Sequence, residues 1–437
     1  MLLIYTSKKT NRLNYIFRLI FNELLGVEFA FTIDKKEFGE YKGPKLNYSE
    51  QVFDDELYIA SRKLLFEKGI IEQDFKFVDF EGTKVFFNTF KKKSVLPFDP
   101  FAASFYLLSR YEEYLPYMKD IYGRFDAPES IAFQQGFLHK PVVNIWAQKI
   151  KQIIKEKYPE FESNEPNYKF IPTLDIDAAY AYRLKGLMRI LGGYFKSIGK
   201  FNIPEIIERT KVLIGSIPDP FDTFNYQLEL QKKYKLKPIY FILFADYGLN
   251  DKNIPTYSRS FQELIKTLGD YADMGIHPSF TSNSNSGKLQ KEIQNLSQVL
   301  NKEITKSRQH FLKLHLPETY RNLISMGITD DYTMGYASKV GFRAGICSSF
   351  LFYDLEMDVI TNLRIHPFAV MEGTLKDYMM VEAGDVMSHV KPLIDEVKAV
   401  NGTFISLWHN ESLNNKGRWI GWKDAYEEMI KYALEKA

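Results

Sequence analysis

The chain has 437 residues, with 57 Lys and Arg against 55 Asp and Glu, for a net charge of +2. That balance excludes a chain-wide electrostatic footprint for nucleic acid or an acidic membrane. Apolar residues at 45%, with 25 Gly and 18 Pro, exclude collagen-like and low-complexity classes and suit two domains, or one large α/β domain with an appendage. The single cysteine, Cys347, excludes an internal disulfide and a cysteine zinc cage. Residues 1–9 lack a signal-peptide pattern: the apolar run is short and the charge follows it. The longest apolar stretch, 239–245, is far short of the ~20 residues of a membrane span. The expectation is a cytoplasmic protein with no membrane span and no nucleic-acid partner. Its oligomeric state is not legible.

Residues 2–6 read as a strand. Leu13, Ile16, Phe17, Ile20, Phe21 and Leu24 recur at three- and four-residue steps and predict a helix. Strands are predicted at 27–33 and 84–90, and helices at 58–68 and 101–115. This first part, 1–160, reads as a mixed α/β domain without a catalytic motif, and His139 within it as a bland side chain. Residues 158–168 are polar, carry two prolines and read as a linker. Over 168–437 short apolar strands alternate with amphipathic helices. Strands are predicted at 170–174, 238–245, 275–277 and 403–408. Helices are predicted at 178–194, 223–236, 261–274, 288–304 and 422–433. In 288–304, Leu289, Ile293, Leu296 and Leu300 share one face. The fold class is α/β, and the alternation implies a parallel sheet closed into a (β/α) barrel.

Polar residues fall at the carboxyl ends of these strands: Asp175, Asp177, Asp246, His277 and His409. In α/β sheets that edge gathers catalytic side chains. In Thr173-Leu174-Asp175-Ile176-Asp177 two carboxylates face the same way and repel. They are tolerated together if one binds a cation and the other takes a proton; alternatively, Asp177 caps a helix from 178. His277, stiffened by Pro278, is either a metal ligand or a structural histidine. Arg308, beside His310, either holds the carboxylate base by a bidentate contact or is a solvated charge. His409 follows an apolar strand and reads as a general acid oriented by Glu411, or again as structural.

These residues resemble the motifs of the polysaccharide deacetylase family, the carbohydrate esterases with NodB-like homology. The resemblance covers about 270 residues at the carboxyl side and implies a distorted (β/α) barrel that removes acetyl groups from sugars with a metal-bound water. By that match Asp175 is the catalytic base and Asp177 a metal ligand. His277 is the first metal histidine, and Arg308 braces the base. Phe311 offers a backbone N–H to the oxyanion, and His409 is the general acid. Thr281 stands where the family has its second metal histidine, and the fourth-motif Trp is missing. His310 is the candidate substitute ligand for a divalent ion, with zinc the leading expectation. Arg343 and His366 are candidates to line a sugar site; His315 and His389 read as bland. The full length, including 95–101 and 364–375, is similar to a bacterial subgroup with an uncharacterised amino-terminal α/β domain.

The leading expectation is a metal-dependent hydrolase acting on an acetylated sugar or glycan precursor, N- or O-linked. Thr281 and the load of 35 Phe and 28 Tyr motivate a second reading, an inactive barrel that binds glycan. A third is a related C–N hydrolase of a small amide.

Overall fold

The structure, a computed structural model, describes residues 1–435. Four short apolar runs near the amino terminus, β1 Leu2–Thr6, β2 Phe29–Thr32, β3 Lys45–Ser49 and β4 Leu57–Ala60, form an all-parallel sheet in the order β2-β1-β3-β4. The helix after β1, Asn11–Phe17, starts where Thr10 Oγ1 accepts the Leu13 N–H, and it runs on as a π-helix over Arg18–Leu24. Its buried stripe is the one the spacing predicts. Residues 58–68 are not the predicted helix. They hold most of β4 and a 3₁₀ turn, Lys63–Leu65, because all four residues Leu57 to Ala60 are buried beside β3. A two-stranded hairpin comes next, β5 Val78–Phe80 with β6 Thr83–Val85.

The helix Pro100–Leu108 is buried along its whole length. Its cap, Asp99, is fully buried and accepts from the Phe101 and Ala102 N–H groups, the Arg62 N–H and the Tyr48 hydroxyl. Burial pushes the Asp99 carboxyl up to about 6, against the lowering effect of those hydrogen bonds. A folded pKa above the unfolded value means the folded state holds the proton longer. Stability from this group is therefore greatest below about pH 4 and is lost as pH rises toward 6. Asp99→Ala is expected to cost about 2–4 kcal/mol at pH 7, through the lost cap and the stranded Tyr48 hydroxyl. Urea titrations from pH 4 to 7 should also show a flatter pH dependence in the variant than in the native chain.

The second sheet has nine strands: β7 Lys169–Ile176, β8 Ile239–Ile242, β9 Asp273–Ile276, β10 Lys306–Ser307, β11 Asp330–Asp331, β12 Phe350–Asp354, β13 Val359–Ile365, β14 Val370–Met371 and β15 Thr403–His409. Their order is β12-β13-β11-β10-β9-β8-β7-β15-β14, and every pairing except β12–β13 is parallel. The predicted strand–helix alternation is present. Hydrogen-bonded closure of a barrel is not: among the described residues no ladder joins the edge strands β12 and β14. Three of the strands, β10, β11 and β14, have two residues each, and the antiparallel β12–β13 pair ends the parallel run.

After β7 the chain does not enter a helix at 178. The Asp219 carboxylate accepts the backbone N–H groups of Ala181, Tyr182 and Arg183, which holds that stretch irregular until the helix Leu187–Gly199 begins. Asp177 is therefore not a helix cap.

One apolar core runs under both sheets, from Leu2 and Phe101 to Leu174 and Trp408. Polar contacts stitch the two sequence halves across it. Arg12 pairs with Asp358 at 3.1 Å, the Tyr15 hydroxyl donates to Leu351 O at 2.8 Å, and Glu113 pairs with Arg343 at 2.7 Å. The polar segment 158–168 is tied down as well, with the Asn164 N–H donating to Leu25 O and Glu165 bound by Lys151 and Gln148. Among the described residues no helix is long and apolar enough to cross a membrane.

Candidate functional site

The parallel register places the polar residues at or just past the carboxyl ends of β7, β9, β10, β14 and β15 on one edge of the nine-stranded sheet. Asp175 lies opposite His409 in the β7–β15 ladder. Gly275 lets β9 lie close: a Cβ there would stand 2.6 Å from the Phe241 ring and 2.9 Å from Lys306 O. The edge opens into a cleft of about 210 Å³ lined by Asp175, Asp177, His277, His310, Phe311 and His409, among others.

Asp177, His277 and His310 converge there, their ligand atoms all within 4.8 Å of one another. His277 Nε2 is 3.2 Å from Asp177 Oδ1, and His310 Nε2 is 3.4 Å from Asp177 Oδ2. The Nδ1–H of His277 donates to Arg308 O at 2.5 Å, and the Nδ1–H of His310 donates to Asp251 Oδ1 at 2.8 Å. Those partners fix Nδ1 as a donor on both rings and aim both Nε2 atoms at the cleft, where each can bind an ion once it gives up its proton. Asp177 Oδ1 is buried and has no hydrogen-bond partner. An oxygen of that kind is costly unless something positive meets it. One carboxylate, two imidazoles and an open side fit a divalent ion of the zinc class.

Beside this trio Asp175 is buried, and its Oδ1 accepts from Arg308 Nη1 at 2.8 Å. Arg308 is fully buried. Nη1 also donates to Thr173 Oγ1, Nε donates to Tyr332 O, and the guanidinium lies 4.5 Å from the Phe241 ring centre. The brace is thus a single-point contact and not the bidentate one expected: Nη1 is shared with Thr173, Nε is taken by Tyr332 O, and the buried Nη2 has no hydrogen-bond partner. On the other side His409 Nε2 faces Asp177 Oδ2 at 3.9 Å, and its Nδ1–H donates to Glu372 Oε1 at 2.8 Å.

This packing sets the electrostatics. Burial works against the charge on His409, but Glu372 outweighs it and holds the imidazole well above its ordinary value. Burial likewise lowers His310, while Asp177 and then Asp251 raise it to about 9. Asp177 is driven the other way: burial raises it, and the His310 charge brings it well below the ordinary carboxylate range.

Comparisons with known proteins give three findings. Residues 2–159 match a family of unknown function, DUF7033. No curated protein matches the chain. Among solved structures, a protein of Mycobacterium smegmatis provisionally assigned as a polysaccharide deacetylase is 12% identical, with a TM-score of 0.41, over 62% of this chain and 85% of that one. The Puue allantoinase is 9% identical, with a TM-score of 0.38, over 63% of this chain and 89% of its own. A CE4 family pseudoenzyme from Bacillus anthracis is 12% identical, with a TM-score of 0.30, over 62% of each chain. At such identities and TM-scores the functional reading rests on the geometry of the cleft.

Three expected residues take other places. Arg343 does not line the cleft; it is buried against Glu113 and Gly335 O. His366 pairs with Asp330 at 2.7 Å and stacks on Tyr332 at 4.3 Å, at the end of β13 and away from the cleft. Glu411 lines the cleft but does not orient His409; Glu372, at the end of β14, is the carboxylate within hydrogen-bond distance. Thr281 is exposed and sits near Ser279 and Lys288, outside the trio. Asp246 is exposed and pairs with Lys291.

The residues that sequence reasoning missed are Asp251, Glu372 and Arg124. Asp251 sits in a polar loop with no local signature. Glu372 comes directly after a two-residue strand, and a carboxylate before Gly373 at a strand end was its one available sign. Arg124 comes from the amino-terminal half and reaches the cleft across the core. Its guanidinium donates to Phe311 O at 2.7 Å and to the Tyr378 hydroxyl at 3.2 Å.

Proposed function

We propose that this cleft is a divalent-ion-dependent hydrolase site that removes acetyl groups from a sugar or glycan precursor. The observation that carries the reading is the meeting of Asp177, His277 and His310 beside two separately braced proton-transfer groups, Asp175 on Arg308 and His409 on Glu372. His310 takes the ligand position that Thr281 leaves empty, which favours a working centre over an inactive sugar binder. We read the nine-stranded sheet as the distorted barrel of the polysaccharide deacetylase type, and the chain as an amino-terminal unit over 1–160 followed by a catalytic unit over 168–437.

Bound by Asp177, His277 and His310, a divalent ion, with zinc the leading candidate, supplies positive charge beside an attacking water and the acetyl carbonyl. Asp175 accepts the proton of that water at its carboxylate, and Arg308 keeps the carboxylate oriented. The Phe311 backbone N–H faces the developing oxyanion. Phe311 holds a left-handed conformation, φ +59°, and the Arg124 contact to its carbonyl fixes the next peptide. His409, kept protonated by Glu372, gives its proton to the departing sugar amine or hydroxyl. Tyr378, exposed beside the cleft, and Trp419 in its lining suit a sugar ring.

Acetate release from acetylated glucosamine oligomers and acetylated xylan, measured on the full chain, tests the reading. Release should fall at least about tenfold on chelation and return when zinc is restored. Release indifferent to chelation overturns the ion-dependent site. Hydrolysis of linear or cyclic amides with none of acetylated sugars replaces it with a C–N hydrolase.

A further inference from the structure

We propose that the carboxyl edge of the amino-terminal sheet is a second binding site, for a small molecule carrying a diphosphate group. In the order β2-β1-β3-β4 the chain leaves β1 toward one side of the sheet and returns through β3 on the other. The crevice at such a reversal, outside the carboxyl ends of the strands, is where open parallel sheets take ligands. A cavity of about 370 Å³ lies there. Residues just past three of the strands line it: Ser7 and Lys8 after β1, Glu50 and Gln51 after β3, Ser61 and Lys63 after β4.

A second cavity of about 410 Å³ adjoins it, sharing Glu50 and Gln51, and is lined also by Tyr58 and the run Lys91, Lys92 and Lys93. Five lysines thus face one acid, Glu50. Neighbouring lysines are spent in ion pairs, Lys84 with Asp79 and Lys157 with Asp55, but among the described residues these five form none. Tyr58 is 2% exposed, and its hydroxyl has no hydrogen-bond partner. A buried hydroxyl without a partner needs an acceptor, and a phosphate oxygen beside the lysines is one. Two basic ends on one crevice match two linked phosphates better than a single one. None of these residues belongs to the metal-binding cleft.

Diphosphate reaches such a site either free or on a nucleoside, so calorimetric titration of the full chain uses inorganic pyrophosphate and UDP side by side. At least one should bind with one molecule per chain and a Kd below about 1 mM. Equal affinity identifies the free anion, and an affinity about tenfold tighter for UDP identifies the nucleoside-borne form. Lys8→Glu with Lys63→Glu should weaken binding at least about tenfold, and Tyr58→Phe several-fold. Both lysines are exposed, so the double variant should keep the native melting temperature. Asp177→Ala should leave binding unchanged. The proposal falls if neither compound binds, if the double lysine variant binds as the native chain does, or if Asp177→Ala abolishes binding.

Discussion

Replacing Asp175 by Asn is expected to lower kcat for acetate release by about 10²–10⁴-fold, the usual share of a positioned general base. The change is nearly isosteric, and the side-chain oxygen can still accept from Arg308 Nη1, so the fold should survive at a cost of about 1–3 kcal/mol. Zinc content should stay at the native value, since Asp175 is not in the Asp177, His277, His310 trio. Steady-state kinetics, a thermal melt and elemental analysis on the same preparation separate these effects. A variant that keeps native kcat removes Asp175 from the proton-transfer role. A variant that loses its ion as well would make Asp175 part of the ion's cradle.

Glu113→Ala should be the most destabilising single change outside the cleft. Glu113 is buried, and its carboxylate receives Arg343 Nη2 at 2.7 Å, Arg343 Nε at 3.0 Å and Arg110 Nε at 2.7 Å. Truncation leaves the buried Arg343 without its acid and takes one of two acids from Arg110, which keeps Glu112 at 2.8 Å; breaking a buried pair in this way typically costs about 3–5 kcal/mol. Burial alone would raise the Glu113 carboxyl, but Arg343 and Arg110 bring it below its ordinary value. Its contribution is thus present above about pH 4.5 and is lost as pH falls, the opposite sign to Asp99. Denaturant unfolding at pH 7 should show the loss, and Glu113→Ala with Arg343→Met should recover part of it, because the stranded Arg343 charge is gone. Equal stability of native and Glu113→Ala chains would contradict this role for Glu113 at the junction between the two halves.

The alternation of short strands and helices was legible because buried parallel strands read as apolar runs, continuous at 239–242 and broken only by Thr403 and Ser406 at 403–408. Polar residues placed just past those runs, Asp175, Asp177, His277 and His409, were legible for the same reason: the end of an apolar run marks the sheet edge. Where the strand is two residues long, as before Arg308 and Glu372, periodicity vanishes. Arg308 then stood out only as an Arg beside His310, with a solvated charge as the equal alternative until motif resemblance gave it the bracing role, and Glu372 was missed. Asp251 and Arg124 reach the site from a loop and from the other half of the chain, and only tertiary packing brings them there. The helix expected from 178 failed because one distant carboxylate, Asp219, captures three backbone N–H groups. No local propensity encodes such a contact.

Zinc binding to the full chain, by equilibrium titration after chelation, tests the convergent trio most directly. The native chain should take up one ion per molecule, and His310→Ala should weaken uptake at least about 10²-fold, since a lost ligand costs more than the 10–100-fold typical of a lost ligand partner. Thr281→Ala should leave uptake unchanged. Native affinity in His310→Ala, or no uptake by the native chain, would contradict an ion site built on Asp177, His277 and His310.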